Sequence, residues 1–199
     1  MFIDEPDPSP EREAFYKKDV EDVGYVMNLT RAWAWIPPIN DVLFDLLDRC
    51  AEIADLSYRD KGFLITAMAS RMGDSYCSLA WGSRVAEATD PATAAAIVAG
   101  RQSESMTVRD VALAAWARKL AAEPSSTSQD DIEDLRRAGL SDRQIAAATA
   151  YVALRLAFST FNDGLGAEPD LEKAQAAPAE IVDAITFGRP ADRSPSTGR

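Results

Sequence analysis

Cys77 is the residue of this chain with the most chemistry to offer. It sits in Ser75-Tyr76-Cys77-Ser78-Leu79-Ala80-Trp81-Gly82, which reads as the opening of a helix. A helix N-terminus lowers a thiol pKa, and the thiolate so favoured is the form that attacks peroxides and disulfides. Asp74, a plausible N-cap three residues earlier, works against this, since a nearby negative charge disfavours a second. The sequence contains no histidine. The usual proton shuttle at neutral pH is therefore missing, and no Cys–His relay can be assembled from the chain's own residues. The expectation is a mostly protonated thiol, packed as a small hydrophobe on a helix face.

The second cysteine, Cys50, lies 27 residues earlier. The two form no CxxC pair and read as reduced thiols in a cytoplasmic protein. With no histidine and no cysteine cluster, no metal site and no cofactor is expected. Trp33, Trp35, Trp81 and Trp116 could line an apolar pocket but read first as core. Asp130-Asp131 and Glu133-Asp134 stand near a helix start, where they complement the dipole rather than catalyse.

The net charge of −11 and pI near 4.5 argue against nucleic acid and against anionic membranes, both of which need clustered Lys and Arg. The opening Met1-Phe2-Ile3-Asp4-Glu5-Pro6 has no basic run followed by an apolar one, so it does not read as a signal peptide. No stretch has the apolar length of a membrane helix. Hydrophobic residues make up 47%, enough for a sizeable core.

The elements that must position Cys77 are helical nearly throughout. Helices are predicted over Pro10 to Val23, from Ile39 on the spacing Val42, Leu43, Leu46, Leu47, Cys50 and Ile53, and from Ser57 to about Met72. Ser57-Tyr58-Arg59-Asp60 is a capping-box variant with Asp in place of Glu. Gly73 separates that helix from the Cys77 helix, which runs to about Ala88. Asp90-Pro91 supplies a cap and an N1 proline for the next. Further helices are predicted over Thr107 to Ala122, Ser128 to Gly139 and Ser141 to about Phe161, with a weak one over Glu180 to Phe187. No period-two pattern occurs, so the fold class is all-α. The reading is a single helical domain over 1–188 with an N-terminal arm 1–10, followed by a disordered tail over 189–199. Gly139-Leu140-Ser141-Asp142-Arg143-Gln144 has the cadence of a helix-turn-helix, but the following alanines and the acidic chain favour a plain αα-hairpin.

Several segments together resemble the alkylhydroperoxidase D-like superfamily, which includes the carboxymuconolactone decarboxylases. They are Leu56-Ser57-Tyr58-Arg59-Asp60, Ala67-Met68-Ala69-Ser70-Arg71 and the Ser75–Gly82 stretch. Val23-Gly24-Tyr25-Val26-Met27-Asn28-Leu29-Thr30-Arg31-Ala32 and Asp130-Asp131-Ile132-Glu133-Asp134-Leu135-Arg136 fit its peroxidase-related branch. The resemblance spans about residues 10 to 168. It implies a multi-helix bundle, assembly into a homo-oligomer, and thiol chemistry on a small-molecule hydroperoxide recycled by an external thiol reductant. Active members of that superfamily carry a CxxC pair, a histidine four residues after its second cysteine and a glutamate twelve before its first. The second cysteine matches Cys77. The first falls on Asp74, the histidine on Trp81 and the glutamate on Gly62. The resemblance thus leaves Cys77 as the sole candidate thiol of the site, in a peroxidase-like oxidoreductase, or else a non-catalytic oligomeric binding or scaffold protein.

Overall fold

Residues 1–191 are described by a computed structural model. Among them the chain forms α1 (Pro10–Val23), α2 (Asn28–Trp33), α3 (Pro37–Ala54), α4 (Tyr58–Met72), α5 (Ser75–Ala88), α6 (Pro91–Val98), α7 (Val108–Ala122), α8 (Gln129–Arg137), α9 (Asp142–Gly164), α10 (Leu171–Ala176) and α11 (Ala179–Ala184), with one 3₁₀ turn at Pro124–Ser126 and no strand. The fold is all-α, as the periodicity predicts.

The start signals lie where the sequence puts them. Ser57 and Asp60 form a reciprocal capping box on α4, and Asp90 accepts the Thr93 N–H at 2.8 Å ahead of Pro91. Ser141 and Gln144 close the same kind of box on α9. The helices missing from the sequence reading are α2 and α10, each of six residues with no side-chain cap.

Helix α4 is the axis of the molecule. Phe63-Leu64-Ile65-Thr66-Ala67-Met68-Ala69 are all buried, leaving no polar face, which is the pattern of a helix enclosed by others. It packs mainly between α7 and α5, while α3 packs against α9. A reciprocal brace joins α4 to α7. Arg59 binds Asp110, the capping-box carboxylate in the first turn of α7, at 2.7 Å, and Arg109 binds Asp60, its counterpart in α4, at 2.9 Å. Both carboxylates are buried, and each is satisfied by its own helix start and by an arginine of the other. Burial alone would push the Asp110 carboxyl up; Arg59 and the Thr107 cap outweigh it and hold it below the usual range.

The C-terminal segment crosses the start of α5. Ser75 Oγ donates to Arg189 O at 2.6 Å, and Gly188, at φ +69°, lies so close to the Gly73 carbonyl that a Cβ would approach its oxygen to 2.5 Å. Arg189, where the sequence reading begins a tail, is therefore packed, and it reaches Asp163 at 3.4 Å. The rest of that predicted tail, 192–199, lies outside the described residues. At the other end, Phe2 N–H donates to Leu165 O at 2.8 Å, and the Arg189 guanidinium stands 5.0 Å above the Phe2 ring. No helix among the described residues is long and apolar enough to cross a membrane.

Candidate functional site

Cys77 sits in the first turn of α5 because Asp74 starts the helix. Asp74 Oδ1 accepts the Cys77 N–H at 2.9 Å. The thiol then points inward rather than to solvent, with the residue 2% exposed. It meets α9: Arg155 Nη2 lies 3.8 Å from Cys77 Sγ and Ser159 Oγ 3.6 Å from it. Residues 155 and 159 are one turn apart and share a helix face, so α9 presents two donors to one sulfur.

Burial pushes the Cys77 thiol well above its ordinary pKa, and the Asp74 charge pushes further the same way. Arg155 and the Ser159 hydroxyl pull down, with smaller effect. The two largest influences on this thiol both disfavour the thiolate.

Arg155 is the unexpected member. It is 4% exposed, and its guanidinium lies 5.5 Å from the Trp81 ring and 4.8 Å from the Phe158 ring. Its Nε has no hydrogen-bond partner, and among the described residues no carboxylate pairs with it. A buried cation without a counter-charge is costly, and ring faces offset only part of that cost. Other buried polar atoms also lack partners: Asp74 Oδ2, Ser78 Oγ, Asn162 Nδ2 and, on α4, Thr66 Oγ1.

The remaining predicted positions fall as follows. Trp81, in place of the histidine, is half-buried and lies under two cations, Arg84 at 4.6 Å and Arg155 at 5.5 Å, with the Tyr58 ring at 6.2 Å. Gly62, in place of the glutamate, is buried against α5, where a Cβ would meet Val85 Cγ2 at 2.9 Å. Asp60, a neighbouring carboxylate, is committed to Ser57 and Arg109 and takes no part. Cys50 is half-buried on α3, and both cysteines are free. The structure thus brings together Asp74, Cys77 and Trp81 and leaves Gly62 as packing. Trp33 stacks on Phe161 at 3.9 Å and Trp116 donates to Thr149, both in the core, whereas Trp35 is exposed.

The sequence reading missed Arg155 and Ser159. The signal was present: Ala148, Tyr151, Val152, Arg155, Phe158 and Ser159 all lie on the buried stripe of α9. A cation on an apolar stripe is the anomaly to look for. On the opposite side of α5, Ser75 and Leu79 instead line a cavity of about 770 Å³ walled by Leu171, Val182, Ile185 and Phe187.

No protein-family profile and no curated protein matches the chain. Solved structures do match it. An uncharacterized peroxidase-related protein from Silicibacter sp. TM1040 superposes with a TM-score of 0.74 at 18% identity, covering 86% of this chain and 93% of that one. An alkylhydroperoxidase AhpD core protein, peroxidase-related and from Ralstonia eutropha JMP134, gives 0.69 at 19% identity, covering 83% and 92%. The debrominase Bmp8 gives 0.68 at 14% identity, covering 88% and 92%, and a cysteine-to-alanine variant of it is known in complex with 2,3,4-tribromopyrrole. The chain has the alkylhydroperoxidase D-like fold, a scaffold shared by proteins described as peroxidase-related and by a debrominase.

Proposed function

We propose that the chain is a thiol-based oxidoreductase of peroxidase type, in which Cys77 is the sole reacting thiol and Arg155 supplies the positive charge that stabilises its thiolate. The observation that carries this reading is the unpaired, buried Arg155 guanidinium 3.8 Å from Cys77 Sγ. Structure alone gives no reason to bury such a charge, whereas a reacting thiolate would use it. Cys77 attacks the terminal oxygen of a hydroperoxide. The S–O bond forms as O–O breaks, and the departing alkoxide takes up the thiol proton to leave as the alcohol. An external thiol then displaces water from the sulfenic acid, and a second releases Cys77 as the free thiol and leaves a disulfide. A reducing compartment, the cytoplasm, would keep both cysteines available.

The protein is proposed to act as a homo-oligomer. Ile39, Val42, Leu46 and Ile53 of α3 are exposed on the side of the helix away from Leu47, Ala51 and Ala54, with Trp35 exposed beside them. A row of apolar side chains of that length is what a second copy would cover.

Hydroperoxide consumption with a small thiol as reductant tests the reading. Cys77→Ser is expected to abolish turnover, Arg155→Met to lower it by about tenfold or more, and Cys50→Ser to leave it unchanged. Turnover equal in parent and Cys77→Ser would remove the enzyme reading. A second reading, a non-catalytic binding protein, is favoured by the closed thiol together with the cavity behind α5.

A further inference from the structure

Reduced Cys77 is offered more hydrogen than a thiol can use. Arg155 and Ser159 both direct donors at one sulfur, at 3.8 and 3.6 Å, where sulfur is only a weak acceptor. Arg155 Nε donates to nothing, nor does Asn162 Nδ2 one turn beyond Ser159, and the Ser78 hydroxyl beside Cys77 has no partner. Arg155 Nε and Asn162 Nδ2 can only donate, while the Ser78 hydroxyl can donate or accept. What this cluster lacks is a negatively charged acceptor on the α9 side of the sulfur.

We infer that the cluster is a cage for oxidised Cys77, holding its sulfenate as a lasting state paired with Arg155. The inference rests on Cys77 being the reacting thiol. Oxidation by a hydroperoxide removes two electrons from sulfur and adds one oxygen, while the hydroperoxide is reduced to the alcohol. The sulfenic acid then gives its proton to the solvent buffer and becomes an anion. An oxygen added to Sγ on the α9 side meets the two donors, which shift outward by the little needed to accept it. It converts weak sulfur contacts into charge-assisted hydrogen bonds and gives Arg155 its counter-charge. Asp74 opposes the anion, but its Oδ1 is held on the Cys77 N–H. No local CxxC disulfide ends the state, because Asp74 stands where the partner cysteine would, and Cys50, on α3, is replaced in the test.

This reverses the usual effect of oxidising a buried cysteine. Adding an atom to a packed core ordinarily destabilises it. Here the oxidised protein gains an ion pair that the reduced one lacks, so it should melt at the higher temperature.

The test treats full-length protein carrying Cys50→Ser with one equivalent of hydrogen peroxide, in parallel with the same protein carrying Arg155→Met or Arg155→Lys. Intact mass and a sulfenate-selective trap follow Cys77, and thermal melting is read before and after. Arg155→Met removes an unpaired buried charge and is expected to fold. The expected result is one added oxygen at Cys77 that persists at least about tenfold longer with Arg155 than with methionine there, the factor one charge-assisted hydrogen bond supplies. Melting should rise on oxidation with Arg155 and fall with methionine, the lysine variant lying between. If the oxygen is added but is lost equally fast in all three, or melting falls in all three, the cage is refuted while the thiol reading stands. If no oxygen is added at Cys77 in any, both fall.

Discussion

Gly62 and Val85 touch so closely that α4 and α5 have no room for a side chain at the first position: a Cβ on Gly62 would stand 2.9 Å from Val85 Cγ2. The position where the resemblance places a glutamate is given over to helix packing. Val85 is β-branched, buried and unable to turn aside cheaply. Introducing the pattern that the resemblance implies, with Gly62→Glu, Asp74→Cys and Trp81→His, would therefore break packing before it built a relay. Gly62→Ala alone is expected to cost about 1–3 kcal/mol in urea denaturation. Val85→Ala in the same chain should recover part of that, as a measurable coupling in a double-mutant cycle. Additive costs would show the two positions to be independent.

Asp74 is the N-cap of α5 and, after burial, the main influence disfavouring the Cys77 thiolate. Asp74→Asn separates the two, since asparagine caps as well but carries no charge. The pH at which Cys77 begins to alkylate should fall by about one unit, and the parent should label Cys50 well before Cys77. An unchanged or slower Cys77 rate in the variant would mean that the carboxylate helps the thiol rather than restrains it.

The brace between α4 and α7 predicts acid sensitivity. The Asp110 carboxyl is held below its ordinary value in the fold, so its contribution is complete above the unfolded pKa, near 4. It is lost as pH falls through the lower folded value. Arg59→Met leaves that buried charge unpaired and should cost about 3 kcal/mol at pH 7. Its stability should depend less on acid than the parent's, as read by denaturation from pH 7 to 3.

Asp163 should behave with the opposite sign. Burial first, and then the charge of Asp74, raise its carboxyl to about 6 despite Arg189. The fold therefore tolerates this group best when protonated, at low pH, and loses stability as pH rises through about 6. Asp163→Asn should stabilise the protein at pH 8 by about 1 kcal/mol, a figure reduced for its partial exposure, and by almost nothing at pH 4. Equal effects at both pH values would assign the change to packing.

The exposed face of α3 predicts self-association. Light scattering at micromolar concentration should show a homo-oligomer, most simply a two-fold dimer. Leu46→Glu should shift it toward monomer without unfolding it, because Leu46 is exposed in the single chain. A parent that scatters as a monomer would remove the assembly.

The fold was legible because it is punctuated. Ser57, Asp90-Pro91, Ser141 and the stops at Gly24, Gly73 and Gly139 place helix ends by local chemistry, and the structure has them there. Helix α10 was not legible, since Leu171-Glu172-Lys173-Ala174-Gln175-Ala176 has neither a cap bond nor an apolar period. The thiol and its restraining carboxylate were readable because both sit within one helical turn. Arg155 was not, because its meaning depends on α9 crossing α5, a contact 78 residues apart in sequence. The closure at Gly62 also depends on which residue faces it, and only the fold brings Val85 there.

The meeting of Phe2 with Gly166 and Arg189 brings the head of the chain to the place where its last described segment is anchored. The path of the polypeptide is thus close to a ring, and the order in which the helices are threaded is separable from how they pack. A short flexible linker from the C-terminal segment back to the residues before α1 could close that ring, and new ends could be opened in the exposed connection at Arg101–Glu104 between α6 and α7. Such a circular permutant would keep α5 and α9 uncut, so the Cys77–Arg155 contact would survive in a chain that begins with α7.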